Sequence, residues 1–194
     1  MWGNVAMPNP SGPPSASASV SLVYKELVQL ELPDRRRIKI NKLLGHGEFG
    51  HVFLGELGIR QVVVKLLKPQ FLRGREEEAF LQESELLSKL SHPNIVQILA
   101  QHRRPASSSG KEGNEPYFVL GFAGLRTMRH MVELVDEDIV APHEIISCAA
   151  QVASGLAYLH QLEIAHFDVK PENIFINSTG LYALPPLPGP ALTR

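Results

Sequence analysis

The chain has 194 residues and 44% hydrophobic content, enough for one ordinary folded domain and too apolar for disorder throughout. Nineteen Lys+Arg offset twenty Asp+Glu for a formal net charge of −1, so no electrostatic argument points to nucleic acid or an acidic membrane; the run Arg35-Arg36-Arg37 reads as a solvated edge. The single cysteine, Cys148, excludes an intrachain disulfide framework and a thiolate zinc cluster, and the eight histidines lack metal-ligand spacing. With no secretory pattern and no apolar stretch near the ~20 residues that span a bilayer, a cytoplasmic or nuclear protein is expected.

In chain order, the first twenty residues are rich in Pro, Ser, Ala and Gly, which bury too little apolar surface to offset the entropy of ordering. They are counted, with the stretch up to residue 37, as a flexible leader. From Ile38 the texture is that of strands: IKINKLLG, a glycine-rich turn, HVFLGEL, a second turn and QVVVKLL, whose β-branched run reads as buried. A helix is predicted over Arg75 to Leu90, its start marked by Glu76, Glu77 and Glu78 at the positive end of the dipole. Strands are predicted over Ile95 to Ala100 and Tyr117 to Leu120, separated by a polar insertion read as a mobile loop. A short helix around Arg126 to Leu134 follows, and Pro142 opens a longer one through His160. The apolar residues of that long helix cover more than one face, so it calls for neighbours on several sides.

Three segments carry chemistry. The first is Leu44-Gly45-His46-Gly47-Glu48-Phe49-Gly50-His51-Val52, a G-x-G-x-x-G-x-V pattern whose glycines let the backbone approach phosphates without a Cβ in the way. Alone it is weak, because glycine triplets also mark dinucleotide sites and plain hairpins. Strands on both sides favour a phosphate-covering lid over a dinucleotide site. The second is Lys65, at the end of Val62-Val63-Val64; a lysine on an apolar strand calls for a carboxylate partner. On the following helix Phe80, Glu83, Leu87 and Leu90 share one face of a 3.6-residue period, so Glu83 is predicted to point inward.

The third is His166-Phe167-Asp168-Val169-Lys170-Pro171-Glu172-Asn173. With H-x-D-x-K-x-x-N behind the glycine loop, the lysine and the helix glutamate in that order, the chain resembles the protein kinases over about Ile38 to Leu181. The resemblance implies an α+β kinase-like fold. Its N-lobe is complete at about 38–120, only the start of a helical C-lobe spans 121–181, and 182–194 forms a divergent Pro-rich tail. It also implies ATP and Mg2+ as cofactors. The glycine loop would cover the phosphates, Val63 would roof the adenine, and Lys65 held by Glu83 would contact the α- and β-phosphates. Leu120 takes the gatekeeper position, and Gly121, Phe122 and Ala123 that of the adenine-binding hinge. Asp168 is implied as catalytic base, Asn173 as magnesium ligand, and Lys170 as the residue that serine/threonine kinases place beside the transferring phosphate, so the partner is a protein Ser or Thr.

Three positions depart from that pattern. Phe167 replaces the arginine that pairs with an activation-loop phosphate, so phosphate-triggered ordering is not expected. Val63 replaces the usual alanine, adding two methyl groups above the adenine. The Asp-Phe-Gly segment belongs about thirteen residues beyond the catalytic-loop asparagine, which is Pro186 here, and no such tripeptide follows. The chain is therefore expected to be a shortened kinase with little or no turnover, and its uncovered C-lobe surface to aggregate or take a protein partner.

Overall fold

The fold was obtained as a computed structural model, which describes residues 29–46, 49–103, 115–135, 141–177 and 182–184. The first 28 residues, the predicted insertion loop across 104–114, Gly47, Glu48 and the tail from 185 lie outside them. A six-stranded antiparallel sheet is built from β1 (Gln29–Glu31), β2 (Arg37–His46), β3 (Gly50–Leu57), β4 (Arg60–Leu67), β5 (Ile98–His102) and β6 (Tyr117–Gly121), in the order β1-β2-β3-β4-β6-β5. Between β4 and β5 comes α1 (Arg75–Ser88). Beyond the sheet lie β7 (Arg126–Thr127), α2 (Met128–Val135), α3 (Pro142–Gln161), β8 (Phe175–Ile176) and β9 (Tyr182–Ala183), with β7-β8-β9 forming a small second sheet. This is the α+β, kinase-like arrangement.

Period-two alternation decides which face each residue of the large sheet serves. On β4, Val62, Val64 and Leu66 point to one side with Ile38, Phe53, Tyr117 and Val119, forming one buried cluster. Lys65 and the residues beside it, Val63 and Leu67, take the other face. There Leu67, Phe118 and Leu120 join Phe80 and Leu87 of α1 in a second cluster that continues into Cys148, Leu159, Ile174 and Ile176. The site therefore sits on the face of the sheet that α1 and the second core share. Burial also raises the pKa of the Cys148 thiol, which keeps it protonated and unreactive.

Three boundaries differ from those expected. The leader does not extend to residue 37: Leu30 and Leu32 are buried, β1 pairs with β2, and the Tyr117 hydroxyl donates to the Glu31 carbonyl at 2.7 Å. Burial, with Glu31 and Asp34 nearby, pushes the Tyr117 pKa up to about 12, so that donor keeps its proton. The i, i+2 spacing of Leu30 and Leu32 is the strand signal that the neighbouring polar residues hide. The strand expected from Ile95 begins at Ile98 instead, because Ile95 is drawn into the core beside Leu184.

The third difference concerns residues 182–184, assigned from sequence to the divergent tail. Tyr182 and Ala183 pair with Ile176 and Phe175, Leu184 is fully buried, and its backbone bonds to Asn94 and Val96 at 2.9 and 2.8 Å. A strand needs only two or three apolar residues here, too few to register beside four following prolines. Helix α3 does keep an open apolar flank: only Cys148, Gly155 and Leu159 are buried, while Ile146 is 69% exposed. Among the described residues no helix is long and apolar enough to cross a membrane.

Candidate active site

Lys65 reaches across from β4 to α1, where its Nζ donates to both carboxylate oxygens of Glu83, at 2.8 and 3.0 Å. The two side chains are 13% and 5% exposed. The 3.6-residue face that buries Phe80 and Leu87 is what turns Glu83 inward. Phe80 and Phe118, ring centroids 4.9 Å apart, lie 5.7 and 5.1 Å from the ammonium. The pair therefore sits between an apolar floor and two ring faces that also favour a cation. Sequence periodicity places Phe80 on this face, but nothing in the sequence pairs it with Phe118, which comes 38 positions later.

Above the pair, Val52 lies opposite Lys65 in the β3–β4 ladder and Val63 opposite Leu120 in the β4–β6 ladder. Leu120 is buried, and Val63 packs partly exposed against the same core. The chain leaves the ladder after Gly121, whose N–H donates to the Gln97 carbonyl at 2.8 Å. Phe122 and Ala123 then run outside any strand towards Gly124. Gly124 has φ +98°, and a Cβ there would lie 2.2 Å from the Ile176 carbonyl oxygen, so only glycine lets the chain turn here.

The glycine loop spans the end of β2 and the start of β3. Leu44 falls at a register shift between Leu43 and Gly45, after which Gly45 faces Val52 and His46 faces His51. A Cβ on Gly50 would come 2.7 Å from the Leu66 carbonyl oxygen, so its glycine serves close strand approach. Phe49 is turned onto Phe71, with ring centroids 5.5 Å apart, and packs on the core. The Nδ1 atoms of His46 and His51 lie 2.9 Å apart.

His51 is only 7% exposed, and its pKa is lowered to about 4, first by burial, then by His46 and Lys68. The unfolded chain then takes up this proton near the ordinary histidine value of about 6.5, before the folded chain does. Stability therefore falls as the pH drops from about 6.5 towards about 4. Solvent at the loop rim screens part of the effect, and a loss of roughly 1–2 kcal/mol is expected. Urea titrations at pH 7.5 and 5 check this, and His51→Asn should flatten the slope.

The catalytic loop brings the third segment together. Asp168 accepts from Lys170 Nζ at 2.9 Å through Oδ1 and from Asn173 Nδ2 at 2.7 Å through Oδ2. The same Nδ2 lies 2.9 Å from the Asp168 carbonyl oxygen. Phe167 holds φ 59° and is 74% exposed. This left-handed turn lets the Asp168 N–H fold back to the His166 carbonyl at 2.9 Å and towards its Nδ1 at 3.3 Å. His166, buried at 3%, thus supports the aspartate through the backbone; it stands in the motif, yet its role is visible only in this geometry.

The donor set fits a hard cation. Asn173 gives its nitrogen to Asp168, so its Oδ1 is the amide atom that would be offered to a metal. An amide oxygen with a carboxylate nearby would suit a hard, oxygen-seeking cation such as magnesium. The position that in the protein kinases supplies a second carboxylate is Pro186 by count.

A buried lysine–glutamate pair joining a sheet to a helix, and a separate loop joining an aspartate, a lysine and an asparagine, are side chains of the kind that phosphoryl-transfer sites use. The family model for the protein kinase domain matches residues 38–184, and the chain belongs to that family. Among curated proteins it is similar to tyrosine protein-kinase src-1 of Caenorhabditis elegans, 28% identical over 147 residues, covering 75% of this chain and 25% of that protein. It is also similar to tyrosine-protein kinase SRK3 of Spongilla lacustris, 30% identical over 156 residues, covering 80% of this chain and 42% of the relative. The chain thus spans between a quarter and under half of the length of these relatives.

Proposed function

We propose that the chain is an ATP-binding protein kinase domain of the serine/threonine-directed type that holds nucleotide with magnesium but transfers phosphate poorly. The observation that carries the nucleotide reading is the buried bidentate Lys65–Glu83 pair. A cation fixed in that way costs desolvation energy that a solvated lysine avoids, and it supplies a preset positive charge beneath the glycine loop. Asp168 and Asn173 offer the metal and the acceptor hydroxyl their oxygens, while Lys170 neutralises Asp168 and presents a charge beside it. The lack of a second carboxylate at Pro186 supports weak transfer, because catalysis of this type consists of positioning and charge neutralisation.

The Lys170–Asp168 contact supports an aliphatic hydroxyl acceptor. The names of the two relatives support a tyrosine acceptor instead. Peptides carrying a single Ser, Thr or Tyr, assayed at high protein concentration, separate the two by which residue receives residual label. ATP with magnesium is expected to raise the melting temperature by several degrees, and Lys65→Met/Glu83→Leu, which removes the pair as a unit, should abolish the rise. No shift at millimolar nucleotide would sink the nucleotide reading. Asp168-dependent transfer at the ordinary kinase rate of about 1–100 s⁻¹ would overturn the expectation of weak turnover.

A further inference from the structure

We propose that His46 and His51 form a proton-sharing clasp that fixes the root of the glycine loop over the nucleotide phosphates. The proposal rests on the ATP-binding reading for its consequence, though not for the clasp itself. His46 and His51 are the last opposed pair of the β2–β3 ladder, where the chain leaves the sheet for the turn. Their Nδ1 atoms are 2.9 Å apart and their ring centroids 5.1 Å apart, with the planes crossed at 82°. Two facing imidazole nitrogens at that separation need one N–H and one lone pair between them. With both nitrogens protonated, two donors meet head on and the contact breaks.

The surroundings choose which ring stays neutral. His51 is buried against Phe53, ring centroids 6.3 Å apart. His46 on β2 and Lys68 just beyond β4 are the cationic groups that act on it, and both disfavour a proton there. With His51 neutral, its ring keeps a lone pair for the bond. The proton that His51 takes up as the pH approaches about 4 removes that lone pair.

The ends of the two strands need such a restraint. Gly45, beside His46, leaves the backbone wide freedom, so the end of β2 has little stiffness of its own. Strand ends also open at low free-energy cost. A side-chain bond across the last pair removes that freedom at the point from which the loop reaches over the phosphates. His46 and His51 are thus positioning residues, acting through the two strand ends they join.

Nuclear magnetic resonance of the ring nitrogens and amide hydrogen exchange test this on the whole chain. One slowly exchanging imidazole N–H, coupled to a nitrogen of the other ring, is expected at pH 7 and lost towards pH 4. His46→Ala, at an exposed position, should speed exchange of the amides at 45, 46 and 50–52 by about tenfold while leaving α1 unchanged. His51→Asn should act in the same direction. Affinity for magnesium ADP should fall about three- to tenfold in both variants. Two independent imidazole signals, or unchanged loop exchange in His46→Ala, would overturn the clasp. Equal nucleotide affinity in parent and variants would overturn its role over the phosphates. A parent chain with the shared proton and protected loop but no nucleotide binding would defeat the ATP reading and leave the clasp standing.

Discussion

Lys65→Met is expected to lower folding stability by about 3–5 kcal/mol, and Glu83→Leu by a similar amount, whereas the double variant should recover most of the loss. The reasoning follows from burial. Glu83 is 5% exposed and gives both oxygens to Lys65. Removing the ammonium leaves a carboxylate in an apolar niche, which must either stay charged without a partner or take up a proton. Removing the carboxylate costs the ammonium its bidentate partner, and the two aromatic faces replace a small part of the lost attraction. Replacing both by apolar side chains of similar volume removes the desolvation cost together with the attraction, so the fold tolerates it. Urea denaturation at pH 7.5 with matched slopes measures all three; a Lys65→Met variant within 1 kcal/mol of the parent would show that the pair is solvated in solution. The same cycle separates fold from function, because the double variant is expected to stay folded yet bind no nucleotide.

Much of this site could be read from residue spacing. Phe80, Glu83 and Leu87 repeat at a helical period, and the run Val62–Val64 leaves Lys65 on the opposite face from two of its valines, so a meeting of Lys65 with Glu83 needed only the assumption that α1 packs on the sheet. The order of strands around the glycine turn was equally visible, since Gly50, Gly58 and the β-branched runs mark turns and strands locally. Other features depend on distant parts of the chain. The His46–His51 contact follows from ladder register, which a two-residue slip would change. The Phe80–Phe118 floor joins a helix to a strand far along the sequence, and His166 acts through a backbone turn at Phe167 that no side-chain pattern encodes. Acceptor type is a separate matter: Lys170 points one way and the relatives' names the other, because the transfer chemistry is common to both kinds of kinase.

Leu184→Ala is expected to cost about 2–5 kcal/mol, although the residue stands at the edge of a proline-rich segment that by composition would pack nothing. Leu184 is 0% exposed and belongs to the cluster that holds Ile95, Leu159, Ile174 and Ile176. Its truncation removes the side chain that ties the β9 end to the turn after α1, where the Leu184 N–H bonds to Asn94 and its carbonyl accepts from Val96. Leu162→Ala, at a position 46% exposed, is the control and should change stability by less than about 0.5 kcal/mol. A neutral Leu184→Ala would mean that 182–184 are unpacked tail after all. The expected loss would instead show that the packed core reaches at least to Leu184, two residues before Pro186. β9, which lies just before that position in the sequence, would then be formed and anchored. On the proposed kinase reading, weak transfer would then trace to the missing carboxylate and not to a lost support, and the Lys65–Glu83 pair would not depend on it.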